Sequence, residues 1–63
     1  MKRSKKIQRE IIRFLEKQTQ PVSTREITLN TKRAWHSVQL NCLKLQLEEK
    51  VQGLREEFLK LKT

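Results

Sequence analysis

Aspartate is missing from all 63 residues, and cysteine, histidine, glycine and proline occur once each. Each shortage closes a class of function. With no aspartate, acid–base chemistry would fall to glutamates, and Glu48-Glu49 and Glu56-Glu57 read as ordinary surface pairs. There is no glycine-rich loop to cradle a phosphate, so the chain is not expected to be an enzyme. A lone Cys42 cannot form an intramolecular disulfide. Placed on a helical wheel it lies about 120° from His36, and no second cysteine or histidine completes a zinc site. No metal, cofactor or small-molecule ligand is implied. No apolar run approaches the roughly 20 residues of a membrane span. The basic start Met1-Lys2-Arg3-Ser4-Lys5-Lys6 lacks the apolar stretch of a signal peptide. An intracellular, cytoplasmic protein with no membrane partner is expected.

What the chain has is positive charge. Fifteen Lys and Arg stand against seven Glu, a net of +8 with a pI near 10.3. The excess is concentrated early: residues 1–18 carry seven basic and two acidic side chains, whereas residues 37–63 carry five and four. A small domain so basic carries the footprint of a polyanion partner, nucleic acid before an anionic membrane surface. One domain of this length buries a modest core, so a homodimer is the expected source of added stability.

The apolar spacing predicts three helices. Residues 1–6 read as a flexible basic arm. Ile7, Ile11, Phe14 and Leu15, with Ile12 beside them, make a helical stripe over 7–18, with Arg9, Arg13 and Lys17 mostly off it. Thr19-Gln20-Pro21 breaks the pattern, and Pro21-Val22-Ser23 fits one very short strand. Ser23-Thr24-Arg25-Glu26 is a capping box opening a short helix over 24–29, followed by turn chemistry at Asn30-Thr31. A longer helix is expected over 32–49. Ala34, Trp35, Val38, Cys42 and Leu45 share its inward arc, against Ile27 and the first helix. His36, Leu40, Leu43 and Leu47 fall opposite. A short helix, a turn and a longer helix compose a helix-turn-helix, whose second helix enters the DNA major groove.

Residues 50–62 admit two readings. Leu40, Leu47, Leu54 and Leu61 recur every seven residues, as in a leucine zipper. Against that stand Gly53 within the run and Lys50 and Glu57 at seam positions. The other reading is a β-hairpin turning at Glu56-Glu57, with Leu59 and Leu61 alternating against Lys60 and Lys62.

Val38, Cys42, Leu45 and Val51 lie at offsets 0, 4, 7 and 13, and Ser23-Thr24-Arg25-Glu26-Ile27 precedes them. These segments, with Thr31 to Gln39 and Cys42 to Glu48, resemble small winged-helix proteins of archaea and their viruses and plasmids. The resemblance covers about 7–62 and implies a mainly α fold with a small β-hairpin. That fold is a winged helix-turn-helix: three helices and a short two-stranded wing over 50–62. It implies sequence-specific binding to double-stranded DNA, transcription regulation, and host cytoplasm for a viral protein. Glu49 stands where that family has glycine before the wing, which predicts a less sharply stopped helix.

Carried onto this chain, the resemblance puts base contacts at Lys32, Arg33, His36, Ser37 and Gln39. Arginine offers a fork to guanine and glutamine to adenine. Phosphate candidates are Lys5, Lys6, Arg9, Arg25, Lys44, Arg55, Lys60 and Lys62. The expected core is Ile7, Ile11, Phe14, Leu15, Ile27, Trp35, Val38, Cys42, Leu45 and Val51. Leu40, Leu43 and Leu47 are too apolar for a solvated face and need a cover, which the wing, the first helix or a second subunit could supply; with Leu54 and Phe58 they form the candidate dimer interface. The competing readings are a non-specific architectural DNA-binding protein and a leucine-seam interaction module.

Overall fold

The computed structural model describes residues 2–62, with side chains from Lys5 onward. The elements run α1 (Lys2–Glu16), α2 (Thr24–Thr31), α3 (Trp35–Leu47), β1 (Val51–Gln52) and β2 (Lys60–Leu61). The protein is thus mainly helical with a two-stranded antiparallel sheet, and the hairpin prevails over the zipper.

α1 starts earlier than its apolar stripe suggests. Met1 lies outside the described residues, but the rest of the expected arm is helical from Lys2. Its inward line is Gln8, Ile11 and Leu15, with Ile7, Ile12 and Phe14 partly buried at the margins. The helix closes at Glu16 rather than Gln18 on short bonds, Lys17 N–H to Phe14 O (3.2 Å) and Gln18 N–H to Leu15 O (3.1 Å).

The capping box is half formed. Ser23 Oγ accepts the Glu26 N–H at 3.2 Å, whereas no return bond from Glu26 to the Ser23 N–H is present among the described residues. α2 runs two residues further than expected, and the Thr28 and Thr31 hydroxyls each donate to the carbonyl four residues back at 2.8 Å. Its stop is Lys32, in the left-handed region (φ 57), whose N–H bonds Thr28 O. That stop displaces the start of α3 to Trp35 from the expected 32. Lys32 and Arg33 therefore lie in the turn. The inward line of α3 becomes Val38, Asn41, Cys42 and Leu45, spaced 0, 3, 4 and 7. Ala34 is the N-cap and exposed, and Trp35 is 54% exposed on the first turn, so neither belongs to the core.

α3 ends sharply. Lys50 N–H reaches Leu45 O and Glu49 N–H reaches Gln46 O, both at 2.9 Å, with Glu49 at φ 61. This is the Schellman closure, in which the left-handed residue is usually glycine. The expectation of a blunter helix end is corrected: the glutamate adopts glycine's conformation.

The sheet pairs Val51 with Leu61 and Gln52 with Lys60, and Lys62 N–H to Lys50 O extends it. Val22 and Leu59 add a bridge on the other edge of β2, exchanging bonds of 2.9 and 2.6 Å. This fits the short strand expected at 21–23. The hairpin tip is a single helical turn, closed by Phe58 N–H to Gly53 O (3.1 Å) and Glu57 N–H to Leu54 O (3.1 Å). Gln46 Oε1 accepts the Leu54 N–H at 3.0 Å, tying that tip to α3.

The core is Ile11, Leu15, Val22, Ile27, Val38, Cys42, Leu45, Val51 and Leu59. Each fully buried aliphatic side chain contributes about 1.5–3 kcal/mol. Val22 and Leu59 were not expected there: only the bridge between two distant segments turns them inward.

Candidate nucleic-acid interface

α2 and α3 meet across the left-handed turn at Lys32, and α1 lies behind both. On the front of α3, at about 150–170° from its buried line, stand His36, Leu40, Leu43 and Leu47, with half-buried Gln39 at the edge of that face, about 110° away. The hairpin tip flanks this face. Trp35, His36, Gln39, Leu40 and Leu43 form one wall of an open groove of about 400 Å³, and Leu54, Arg55 and Glu57 form the other.

The five expected base-contact residues divide between two places. His36 and Gln39 are in the α3–hairpin groove. Lys32, Arg33 and Ser37 line a different cleft, with Lys6 and Ile7 of α1 and Ala34. One contiguous reading surface composed of all five is not what the fold provides. The split follows from the start of α3 at Trp35: Ser37 turns toward α1 instead of continuing the line of His36 and Gln39.

Arg33 is engaged within the protein. Its Nε–H donates to Glu10 Oε1 at 3.1 Å and its Nη2 to Oε2 at 2.8 Å, a two-pronged pairing between the turn and α1. These hydrogen bonds, with the guanidinium charge and a smaller effect of Lys6, hold the Glu10 carboxyl below the usual carboxylate range. The pair is about a third exposed, so water weakens it, but it occupies the fork a guanine would need. Glu10 had no assigned role in the sequence reading, because no local spacing connects residues 10 and 33.

The phosphate candidates are also sorted. Lys5, Lys6 and Arg9 project from α1, Arg25 from the first turn of α2, and Lys44 from α3; all are exposed. Arg55 sits at the hairpin tip beside Glu57. Lys60 is exposed, whereas Lys62 donates to Glu49 at 2.9 Å and keeps that carboxyl below its ordinary range. Leu40, Leu43 and Leu47 remain 46%, 42% and 74% exposed, and Phe58 is exposed too, whereas Leu54 is partly buried against the core. The groove beside the hairpin covers about half of Leu40 and Leu43, and Leu47 stays open.

Cys42 is buried, and desolvation pushes its thiol up to about 11, so it stays neutral and packs as a small apolar side chain. No group of three metal-binding side chains occurs among the described residues, and no described helix is long and apolar enough to cross a membrane. Comparison with protein-family models, with curated proteins and with solved structures finds no match to this chain.

Proposed function

We propose that this chain is a winged helix-turn-helix protein that binds double-stranded DNA through α3 and acts as a transcription regulator. The observation that carries the reading is the front of α3 on a body with a net charge of +8: exposed His36 and half-buried Gln39 line one groove with Arg55 of the hairpin. Gln39 can pair with an adenine edge, and Trp35 supplies apolar contact of the kind a thymine methyl takes. The unpaired amides at the start of α3, which has no side-chain cap, favour a phosphate there. Arg33 takes a new role in this scheme. It braces the turn on α1 and positions the start of α3 instead of reading a base.

The exposed line Leu40, Leu43 and Leu47 favours a second element of the proposal, a homodimer joined through the later turns of α3. Two copies so joined would read half-sites about one helical turn of DNA apart.

Duplex binding over a salt series tests the reading. Each neutralised phosphate should contribute about −0.9 to the slope of log affinity on log salt. In duplexes selected from a random pool, Gln39→Ala should relax preference at one or two positions. A slope near zero, or selection that returns no preference for the unaltered chain, would overturn specific binding.

A further inference from the structure

α1 and Lys17 just past its end carry a basic ridge, of which the proposed function uses at most the phosphate candidates Lys6 and Arg9. Lys6, Arg9, Arg13 and Lys17 follow one another at offsets 0, 3, 7 and 11, which stacks them along one side over about 16 Å. All four are exposed, and none makes an ion pair among the described residues. The mean direction of this ridge lies about 170° around α1 from Gln8, Ile11 and Leu15. Those three residues are the buried side, by which α1 rests on the back of α3. The ridge and the front of α3 thus point away from each other across a domain of 27 × 23 × 20 Å.

That separation decides what the ridge can touch. A major groove about 12 Å wide and about 8.5 Å deep would admit α3 and leave Arg13 and Lys17, at the far end of α1, facing away from the same duplex. Only Lys6 borders the cleft at the start of α3. The four residues follow one another at axial rises of about 4.5–6 Å, which keeps like charges within a Debye length of their neighbours, and a line of phosphates would relieve that repulsion. A lipid surface suits them less, since an interfacial helix immerses its apolar face and that of α1 is in the core.

We propose that the outer face of α1 is a second duplex-binding surface, by which a chain bound through α3 captures another segment of DNA. The inference rests on the reading of α3 as the first duplex-facing helix. The second contact is backbone-directed and blind to sequence, because lysine and arginine on a convex ridge meet phosphates and reach no base edge.

The test is capture of a labelled duplex by a biotinylated duplex on beads, with and without the full-length protein, alongside single-duplex binding in solution. The variant is Arg13→Gln/Lys17→Gln, which spares the phosphate candidates Lys6 and Arg9; circular dichroism checks its helix content. The unaltered chain should bridge the duplexes, and the variant should retain single-duplex binding while bridging falls at least tenfold. The salt slope of bridging should drop by about 2 in the variant, near 0.9 per lost contact. Undiminished bridging by the folded variant would overturn the proposal and assign bridging to a dimer's two α3 helices. Equal loss of single-duplex binding would also overturn it, since the ridge would then belong to the first site. If the unaltered chain binds one duplex and does not bridge, the second surface fails alone. If it binds none, the reading of α3 fails with it.

Discussion

Gly53→Ala should open the hairpin and cost a large share of the fold's stability. Gly53 has φ +98, and a Cβ built there would sit 1.9 Å from the Phe58 carbonyl oxygen and 2.9 Å from its carbon. Ordinary contacts begin near 3.4 Å, so the backbone at Phe58 must retreat by more than 1 Å. That motion breaks the Phe58 N–H to Gly53 O bond, worth about 1 kcal/mol net. The positive φ adds about 1–2 kcal/mol for any L side chain. Leu59 follows Phe58 directly and is fully buried, so part of its packing goes as well. The sum is about 2–4 kcal/mol, against the roughly 3–5 kcal/mol that a core of this size supplies. At about 4–8 °C per kcal/mol, Tm should fall by about 10–25 °C. A thermal melt followed by circular dichroism, with Gly53→Ala and the unaltered chain side by side, measures this. A Tm within about 3 °C of the unaltered value would refute the close approach of Gly53 and Phe58.

Glu57→Gly should act in the opposite direction. Glu57 is exposed with φ 62, and glycine there removes the left-handed penalty of about 1–2 kcal/mol at an entropic cost of about 0.5–1 kcal/mol. A gain of about 0.5–1 kcal/mol in urea unfolding is expected, with none for Glu57→Ala; an equal gain from alanine would place the cause in the lost charge instead. Arg33 lowers the Glu10 pKa in the folded chain, so this carboxylate adds stability that is complete above its unfolded pKa. That stability disappears as the pH falls through the lower folded value. The urea midpoint of the unaltered chain should therefore exceed that of Glu10→Gln at neutral pH and converge with it in acid. A gap that persists with both side chains uncharged would show that the pairing is not its source.

The residues that were legible in the sequence are those whose partners lie within one turn of chain. Ser23 is three residues from the N–H it caps, and Ile11, Leu15, Val38, Cys42 and Leu45 declare themselves by helical spacing. Trp35 misled because its environment depends on where α3 begins. A left-handed Lys32, a conformation lysine rarely signals, moved that start by three residues. The hairpin was readable from Leu59 to Lys62 by alternation, but the burial of Val22 needs a partner 37 positions away. Arg33 shows the same limit at the candidate site. Its chemistry was apparent, but Glu10 occupies it from another helix.

One buried contact has a consequence for the whole molecule. Gln8 Nε2 donates to Asn41 Oδ1 at 3.3 Å, and Asn41 Nδ2 donates to Ser37 O at 2.8 Å, inside an otherwise apolar contact between α1 and α3. Sliding α1 by one residue would roll it by about 100° and drive Arg9 and Glu16, or in the other direction Glu10, toward the core, at several kcal/mol for an unpaired charge. Sliding it by a whole turn would keep aliphatic side chains inward but strand two amides, at about 1–3 kcal/mol each. The amide pair therefore selects one axial position for α1 out of several that hydrophobic packing would tolerate. It works as a dowel between the two helices. Any two duplexes held on the two faces would keep the offset that this axial position of α1 gives them, with the Arg33–Glu10 pairing holding the same helix to the turn.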